Sequence, residues 1–256
     1  MTEKIREYLK SLEETKNIEI LWACETGSRA WGFASTDSDF DIRMIYVHKK
    51  DWYLSLSEKK DSIERMYENN DIDITGWDLK KSLQLLRKSN ASMLERIQSP
   101  IIYKADEHFI EEIRSLAQSH YSKIATMHHY LSMTKKFVFE LEEEQTFKLK
   151  KFFYALRSAF VCKWIIEKDE MPPIEFNKIY LNLGVDSLLI DRINELIQLK
   201  STIKESYFHE GETELIQLMK DFIQEAESIK NDLPSAKGDN EEMNLLFRKY
   251  ITKYDN

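Results

Sequence analysis

The chain has 256 residues and a formal net charge of −8 at pH 7, with 42% hydrophobic and 32% charged residues. This length gives one large domain or two modest ones, and the composition is that of a folded globular protein rather than a disordered chain. The acidic balance excludes a protein that coats nucleic acid, because non-specific phosphate binding requires a broad cationic surface. We therefore expect no stable complex with duplex DNA.

The cysteines and the apolar segments indicate the compartment. Cys24 and Cys162 are the only cysteines and lie in no CxxC or Cys/His ligand pattern, so neither a disulfide framework nor a structural zinc is expected. The first residues are charged and helix-patterned, unlike a secretory signal. The longest apolar patch, residues 159–166, is interrupted by Lys163 and falls short of the ~20 residues that a membrane span requires. The sequence predicts a soluble, cytoplasmic protein without a membrane partner.

Strand patterns dominate the first part of the chain. Apolar residues at helical spacing predict a helix over 3–15, and four strands follow it. The short link between the last two strands indicates a hairpin, after which leucines at three-to-four spacing predict a helix that ends before Pro100. The predicted strands are 18–23, 40–47, 61–68 and 71–75, with a further short candidate at 101–104.

The rest of the chain has the periodicity of helices, broken by Pro172-Pro173 and by the stretch 233–240. A strand-rich part followed by a helical part predicts an α+β fold, in which an N-terminal mixed β-sheet domain precedes a C-terminal helical domain. We place the boundary near residue 118, which gives domains 1–118 and 119–256. The predicted helices are 106–119, 121–144, 146–168, 186–203, 212–231 and 239–253.

An Asp-x-Asp motif enters the second predicted strand. Side chains alternate along a strand, so Asp39 and Asp41 project from one face while Phe40 and Ile42 point to the core. Two neighbouring carboxylates repel each other unless a cation lies between them, and oxygen ligands suit Mg²⁺ or Mn²⁺. An isolated Asp-x-Asp is also a common chance pattern in an acidic chain. The pair nevertheless predicts a metal site.

A third carboxylate is predicted on a neighbouring strand. Asp73 lies between Ile72 and Ile74, where an unpaired charge would be costly. If its strand runs beside the strand of the first two acids, the three carboxylates converge. In-line phosphoryl transfer with two metal ions ~3.5–4 Å apart requires such a cluster of carboxylates. Asp71 shares the face of Asp73 and stays an alternative, although it lies nearer the hairpin turn and is also explained as a solvated residue.

A Gly-Ser turn follows the first predicted strand. Glycine lets the backbone approach an anion closely, and the next residues offer N–H groups and the Ser28 hydroxyl to phosphate oxygens. Arg29 and Arg43 are candidates for neutralising a polyphosphate. Gly27 and Ser28 are thus predicted to face the acids across a bound nucleotide, although Gly-Ser is also a common turn.

The combination of these motifs resembles the signature of the DNA polymerase β-like nucleotidyltransferase superfamily, which is Gly-Ser, a short spacer, Asp-x-Asp and a third acid on a later strand. More narrowly, the chain is similar to the RNA-ligase-associated subgroup of predicted nucleotidyltransferases. The likeness covers about residues 20–176. The stretches that carry it are "GSRAWGFASTDSDFDIRMIYV", "DITGWDLKKSLQLL", "SNASMLERIQSPIIY" and "KKFFYALRSAF".

The resemblance implies a two-domain enzyme that moves a nucleoside monophosphate from an NTP, with ATP the expected donor, to a hydroxyl acceptor and releases pyrophosphate. Two Mg²⁺ or Mn²⁺ ions would be held by Asp39, Asp41 and Asp73, while Gly27 and Ser28 would bind phosphate. RNA is the favoured acceptor, with a protein hydroxyl or a small molecule as alternatives. A non-catalytic nucleotide sensor with the same fold is an alternative of another class.

The helical part adds a cationic face. Lys150, Tyr154 and Arg157 fall at i, i+4 and i+7 of a predicted helix and so share one face. Spacing alone is equally typical of a solvated amphipathic surface, whereas the resemblance favours nucleotide or RNA binding. Arg114 and His120 resemble the Arg-x(4–6)-His motif of small helical ribonucleases, at a spacing that also arises readily by chance.

Overall fold

The structure is a computed structural model that describes residues 1–144, 146–236 and 238–255. It consists of two compact units. The first comprises Met1–Ala30, Asp39–Tyr121 and the described part of Ala236–Asn256, and the second comprises Trp31–Ser38 and Ser122–Ser235. These units differ from the predicted domains 1–118 and 119–256 at the segment 31–38 and at the C-terminus, and the division at residue 118 stays a prediction.

The secondary structure confirms an α+β fold with a five-stranded mixed sheet in the N-terminal half and helices in the C-terminal half. The strands are β1 Ile18–Glu25, β2 Phe40–His48, β3 Ser62–Tyr67, β4 Ile72–Asp78, β5 Ile102–Ala105, β6 Thr146–Lys148 and β7 Phe208–Glu210. The helices are α1 Thr2–Lys16, α2 Gly27–Trp31, α3 Lys50–Tyr53, α4 Leu79–Arg87, α5 Ala91–Gln98, α6 Glu107–Ser119, α7 Lys123–Glu143, α8 Leu149–Glu167, α9 Phe176–Tyr180, α10 Ser187–Thr202, α11 Thr213–Ile229 and α12 Asn240–Lys253.

The sheet of the first unit has the order β3-β4-β2-β1-β5. Strands β2 and β4 run parallel, and the other neighbouring pairs are antiparallel, including the predicted hairpin of β3 and β4. Alternation along β4 buries Ile72 and Ile74 in the core and leaves Asp73 and Thr75 partly exposed. The parallel pairing therefore brings the acid-bearing faces of β2 and β4 side by side.

One side of this sheet is covered by α1, whose Ile5 and Leu9 pack in a buried cluster with Ile20, Met44 and Ile74. Burying such side chains stabilises the fold by ~1.5–3 kcal/mol each. The cluster fixes β2 and β4 from behind, so the residues that alternate with it are presented on a rigid surface.

A buried arginine ties together several elements of the first unit. The Arg96 guanidinium lies 3.6 Å from the centroid of the Trp77 ring and donates to the Met44 carbonyl oxygen over 2.8 Å. The Arg96 carbonyl in turn accepts from the Trp22 indole N–H at 2.9 Å. Helix α5 is thereby fastened to three strands of the sheet, and burial lowers the pKa of Arg96 to about 9.

The second unit is helical, with α8 packed against α7 and α11. The predicted helix 146–168 begins only at Leu149, because residues 146–148 form β6 and pair antiparallel with β7. Within the described residues, no helix is both long and apolar enough to cross a membrane.

Candidate active site

The turn after β1 is built around Gly27, which adopts a left-handed backbone with φ 63°. A Cβ atom at this position would lie 2.2 Å from Oδ2 of Asp41, so only glycine leaves room for that carboxylate. Thr26 donates its backbone N–H to the Asp41 carbonyl over 2.9 Å. Ser28 follows as a buried residue. The Gly-Ser turn and the start of β2 are thus held against each other.

Asp41 and Asp73 face each other across the parallel strands. The register pairs Asp41 directly with Asp73. The Arg43 guanidinium lies between them, with Nη2 at 2.7 Å from Asp41 Oδ1 and 3.0 Å from Asp73 Oδ2. The other terminal nitrogen of Arg43 donates to the carbonyls of Ile42 and Asp73. Two of the predicted acids therefore converge on one cationic group.

Asp39 lies immediately before β2 and is exposed. Its carbonyl oxygen accepts from Nε of Arg29 at 3.0 Å, and the Arg29 guanidinium lies 3.8 Å from the centroid of the Phe40 ring. Arg29 is thereby fixed beside the Asp-x-Asp motif. Asp71 also lies outside its strand and is exposed, whereas Asp73 is the acid in register with Asp41.

Glu25 is a component of this region that our sequence interpretation missed. Its side chain is buried, and Oε1 accepts the backbone N–H of Asp41 at 2.7 Å while Oε2 accepts the Tyr103 hydroxyl. Burial raises the pKa of the Glu25 carboxyl, which these hydrogen bonds partly offset. The available signal was an acid at the end of an apolar strand, directly before the Gly-Ser turn.

The carboxylates of Asp41 and Asp73 are chemically suited to bind a divalent cation. Carboxylate oxygens are the ligands that Mg²⁺ prefers, and the position between Asp41 and Asp73 already attracts a positive charge, that of Arg43. Among the described residues, no three Asp, Glu, His or Cys side chains form a group that could hold a metal ion. The pair thus provides part of a ligand set, and a metal ion would compete with Arg43 for these oxygens.

The three predicted binding residues of α8 lie in different surroundings. Lys150 and Tyr154 line one pocket of the second unit. Arg157 is buried instead, donates to the Ile174 carbonyl over 3.1 Å, and lies 4.6 Å from the centroid of the Trp31 ring. Helical spacing placed the three on one face, but α8 is buried on nearly all sides, so Arg157 packs within the unit.

Arg114 and His120 each bind backbone carbonyl groups of the first unit. Arg114 donates to the Ile97 carbonyl over 2.6 Å. The two ring nitrogens of His120, which is buried, contact the carbonyls of Leu116 and Asp239 at 2.9 and 3.0 Å. These contacts explain both residues as structural, and nothing in them favours a ribonuclease site.

Residues 1–249 match the model of the RNA repair pathway DNA polymerase beta family. The match extends over nearly the whole chain. The uncharacterized protein YcgL of Bacillus subtilis (strain 168) is 37% identical over 200 residues, which cover 78% of this chain and 76% of that protein.

Among solved structures, the chain is similar to a nucleotidyltransferase-like protein from Exiguobacterium sibiricum 255-15. The identity is 10% and the TM-score 0.30, and the match covers 88% of this chain and 76% of that one. A TM-score this low does not establish a shared fold.

Proposed function

Because the chain belongs to the RNA repair pathway DNA polymerase beta family, we propose that it is a metal-dependent nucleotidyltransferase that transfers NMP from an NTP to a hydroxyl acceptor. Pyrophosphate is the second product. The family supports nucleotidyl transfer as the reaction class. The observation that carries the finer proposal is the register of Asp41 with Asp73, beside a turn where only Gly27 leaves room for the Asp41 carboxylate.

In this proposal Asp39, Asp41 and Asp73 hold two Mg²⁺ or Mn²⁺ ions. When bound, such ions neutralise the charge that develops on the transferred phosphoryl group. Glu25 acts through its hydrogen bond to the Asp41 backbone and is a positioning residue rather than a ligand, because a backbone N–H and a tyrosine hydroxyl occupy its two oxygens.

The remaining residues bind the nucleotide and move the proton. The backbone at Gly27 and the Ser28 hydroxyl donate to the phosphates, and Arg29 and Arg43 supply positive charge. Asp73, which lies in register with Asp41, accepts the proton of the attacking hydroxyl. When Arg43 turns to a phosphate, it gives up its contacts with Asp41 and Asp73. Phosphate oxygens then replace the carboxylates as its partners.

We propose ATP as the donor and an RNA hydroxyl as the acceptor. The proposal of RNA is supported by the description of the matched family, which places it in an RNA repair pathway. Protein adenylylation and small-molecule modification are the competing acceptor classes. The non-catalytic sensor is disfavoured, since the chain has all three aspartates that the reaction needs, Asp39, Asp41 and Asp73. Both cysteines are free and buried, which supports a reducing cytoplasm as the location.

The test is transfer of label from α-³²P-labelled NTPs, each incubated with Mg²⁺ and with RNA, protein or small hydroxyl compounds. We expect Asp41→Asn and Asp73→Asn to abolish transfer while the melting temperature stays within a few degrees. Asp71→Asn is the matched control, because this acid is exposed and outside the register with Asp41. Full transfer by both Asp41→Asn and Asp73→Asn would refute their assignment as catalytic residues, and absence of transfer from every NTP by the wild type would refute the enzyme. Label that accumulates only on protein would refute the RNA acceptor.

A further inference from the structure

The second unit contains a pocket of about 430 Å³ between the β6–β7 ribbon and helices α7 and α8. Aromatic rings and lysines together make up most of its lining. The lining residues are Phe137, Glu144, Lys148, Lys150, Lys151, Tyr154 and Phe208.

The aromatic residues differ in how firmly they are held. Tyr154 packs edge-on against Trp31 and Phe137, with ring centroids 5.2 and 6.0 Å apart, so its position is fixed. Phe208 is 57% exposed, although it lies on a strand, where such a ring is normally half-buried. An exposed phenyl ring at the edge of a pocket is costly to hydrate and offers a flat face on which a planar group can stack.

The lysines surround this aromatic surface. Lys148 is exposed and lies opposite Phe208 in the register of the ribbon. Lys150 pairs with Glu205 at 2.6 Å, and Lys151 pairs with Glu140 at 2.8 Å. Because these glutamates compensate two of the cations, a phosphate gains modest electrostatic energy there. Stacking on the rings is therefore expected to supply most of the binding energy.

We propose that this pocket binds a nucleotide unit of single-stranded RNA, with the base stacked on Phe208 and the phosphate beside Lys148. The inference rests on the proposed function and identifies a place that holds the acceptor. A planar base with an adjacent phosphate matches a ring and a lysine on paired strands. Because Phe208 is exposed, a polynucleotide whose base stacks on it can continue beyond the pocket. A free nucleotide has no further units that could use this opening.

The test is fluorescence anisotropy with a 5′-fluorescein-labelled, unstructured RNA of about 12 nucleotides, within the usual site sizes. We expect Phe208→Ala to weaken binding by about 5-fold to 150-fold, the range for loss of one stacked base, and Phe208→Trp to restore it. Lys148→Gln should weaken binding less and reduce its salt dependence. Phe139→Ala is the matched control, because Phe139 is 64% exposed on α7 but does not line the pocket.

Several outcomes overturn the proposal. Failure of the wild-type protein to bind the RNA does so, as does equal affinity of the wild type and Phe208→Ala. If unlabelled ATP displaces the RNA at matched nucleotide concentration, and Phe208→Ala weakens ATP binding equally, the site takes a free nucleotide and the RNA assignment is wrong. Asp41→Asn separates this inference from the proposed function: it should retain RNA binding, whereas full label transfer by Asp41→Asn contradicts only the catalytic role of that acid.

Discussion

Asp41 and Asp73 lie opposite each other on the parallel strands β2 and β4, and both carboxylates contact the same guanidinium nitrogen of Arg43. Two acids this close repel each other without a cation. Arg43 therefore performs, within the chain itself, the charge compensation that a divalent ion would provide.

Arg43→Gln should destabilise the protein in the absence of divalent ions by about 1–3 kcal/mol, because two partly buried carboxylates lose their shared partner. Mg²⁺ should then raise the melting temperature of the variant more than that of the wild type. Thermal unfolding in EDTA and in Mg²⁺ measures both effects. Arg65→Gln, at an exposed position on β3, is the control. An equal Mg²⁺ response in Arg43→Gln and wild type would contradict this prediction.

Gly27→Ala tests the close approach of the turn to Asp41. The added Cβ would meet Asp41 Oδ2 at 2.2 Å, so we expect the carboxylate to be displaced and label transfer to fall at least tenfold. The left-handed backbone adds a cost of ~1–2 kcal/mol in stability. Gly211→Ala separates the two causes, because Gly211 also has a positive φ but an added Cβ there meets nothing within 4 Å. If both variants lose only stability, the contact with Asp41 has no catalytic consequence.

Glu25 provides a test of positioning. Glu25→Ala removes the acceptor of the Asp41 backbone N–H and leaves a buried donor without its partner, which costs ~1–3 kcal/mol. We expect kcat to fall with KM for the NTP nearly unchanged, since Glu25 does not face the phosphates in our proposal. Glu25→Gln keeps an acceptor oxygen of the same reach and should restore most of kcat. A purely structural role would give the opposite pattern, with lower stability and an unchanged kcat per folded molecule.

The sequence was sufficient to predict the strands that carry the acids. Alternation along β2 and β4 separates Asp41 and Asp73 from the buried isoleucines, and the short link before β4 indicates its hairpin with β3. The parallel pairing of β4 with β2 was only a condition of our prediction, and the folded sheet supplies it. The same alternation puts Arg43 on the face of Asp41, so a contact between these two residues was available from the pattern. The contact of Arg43 with Asp73 was not, because spacing along one strand does not show which charges an adjacent strand brings.

Long-range pairing explains what the sequence did not reveal. Strand β6 has only three residues and is paired with β7, some sixty residues later in the chain, so no local period marks it. Arg157 matched a helical face with Lys150, but a helix surrounded by other elements has no solvent side for such a face to indicate. The grouping of α12 with the sheet likewise depends on contacts with α4 and α6, which only the folded chain brings together.

Asp78 is a buried carboxyl group that should make the stability of the protein depend on pH. It caps α4 by accepting from the Lys80 backbone N–H, at 2.8 Å, and it also accepts from the Tyr53 hydroxyl. Burial raises its pKa from 3.8 to about 6. A folded-state pKa above the unfolded one means that the folded protein binds the proton more tightly. The stabilising contribution is therefore complete below about pH 4 and is lost as the pH rises through about 6.

Asp78→Asn should remove this pH dependence while keeping the cap, since asparagine is an equally good N-cap residue. The unfolding free energy of the variant minus that of the wild type should increase between about pH 4 and pH 6, by at most about 3 kcal/mol, because each pKa unit corresponds to ~1.4 kcal/mol. Urea unfolding at several pH values measures the difference. Asp61→Asn, which alters an acid that is half exposed and paired with Lys81, should give a difference that does not follow this course. A difference for Asp78→Asn that stays constant across the range would show that the buried carboxyl titrates normally.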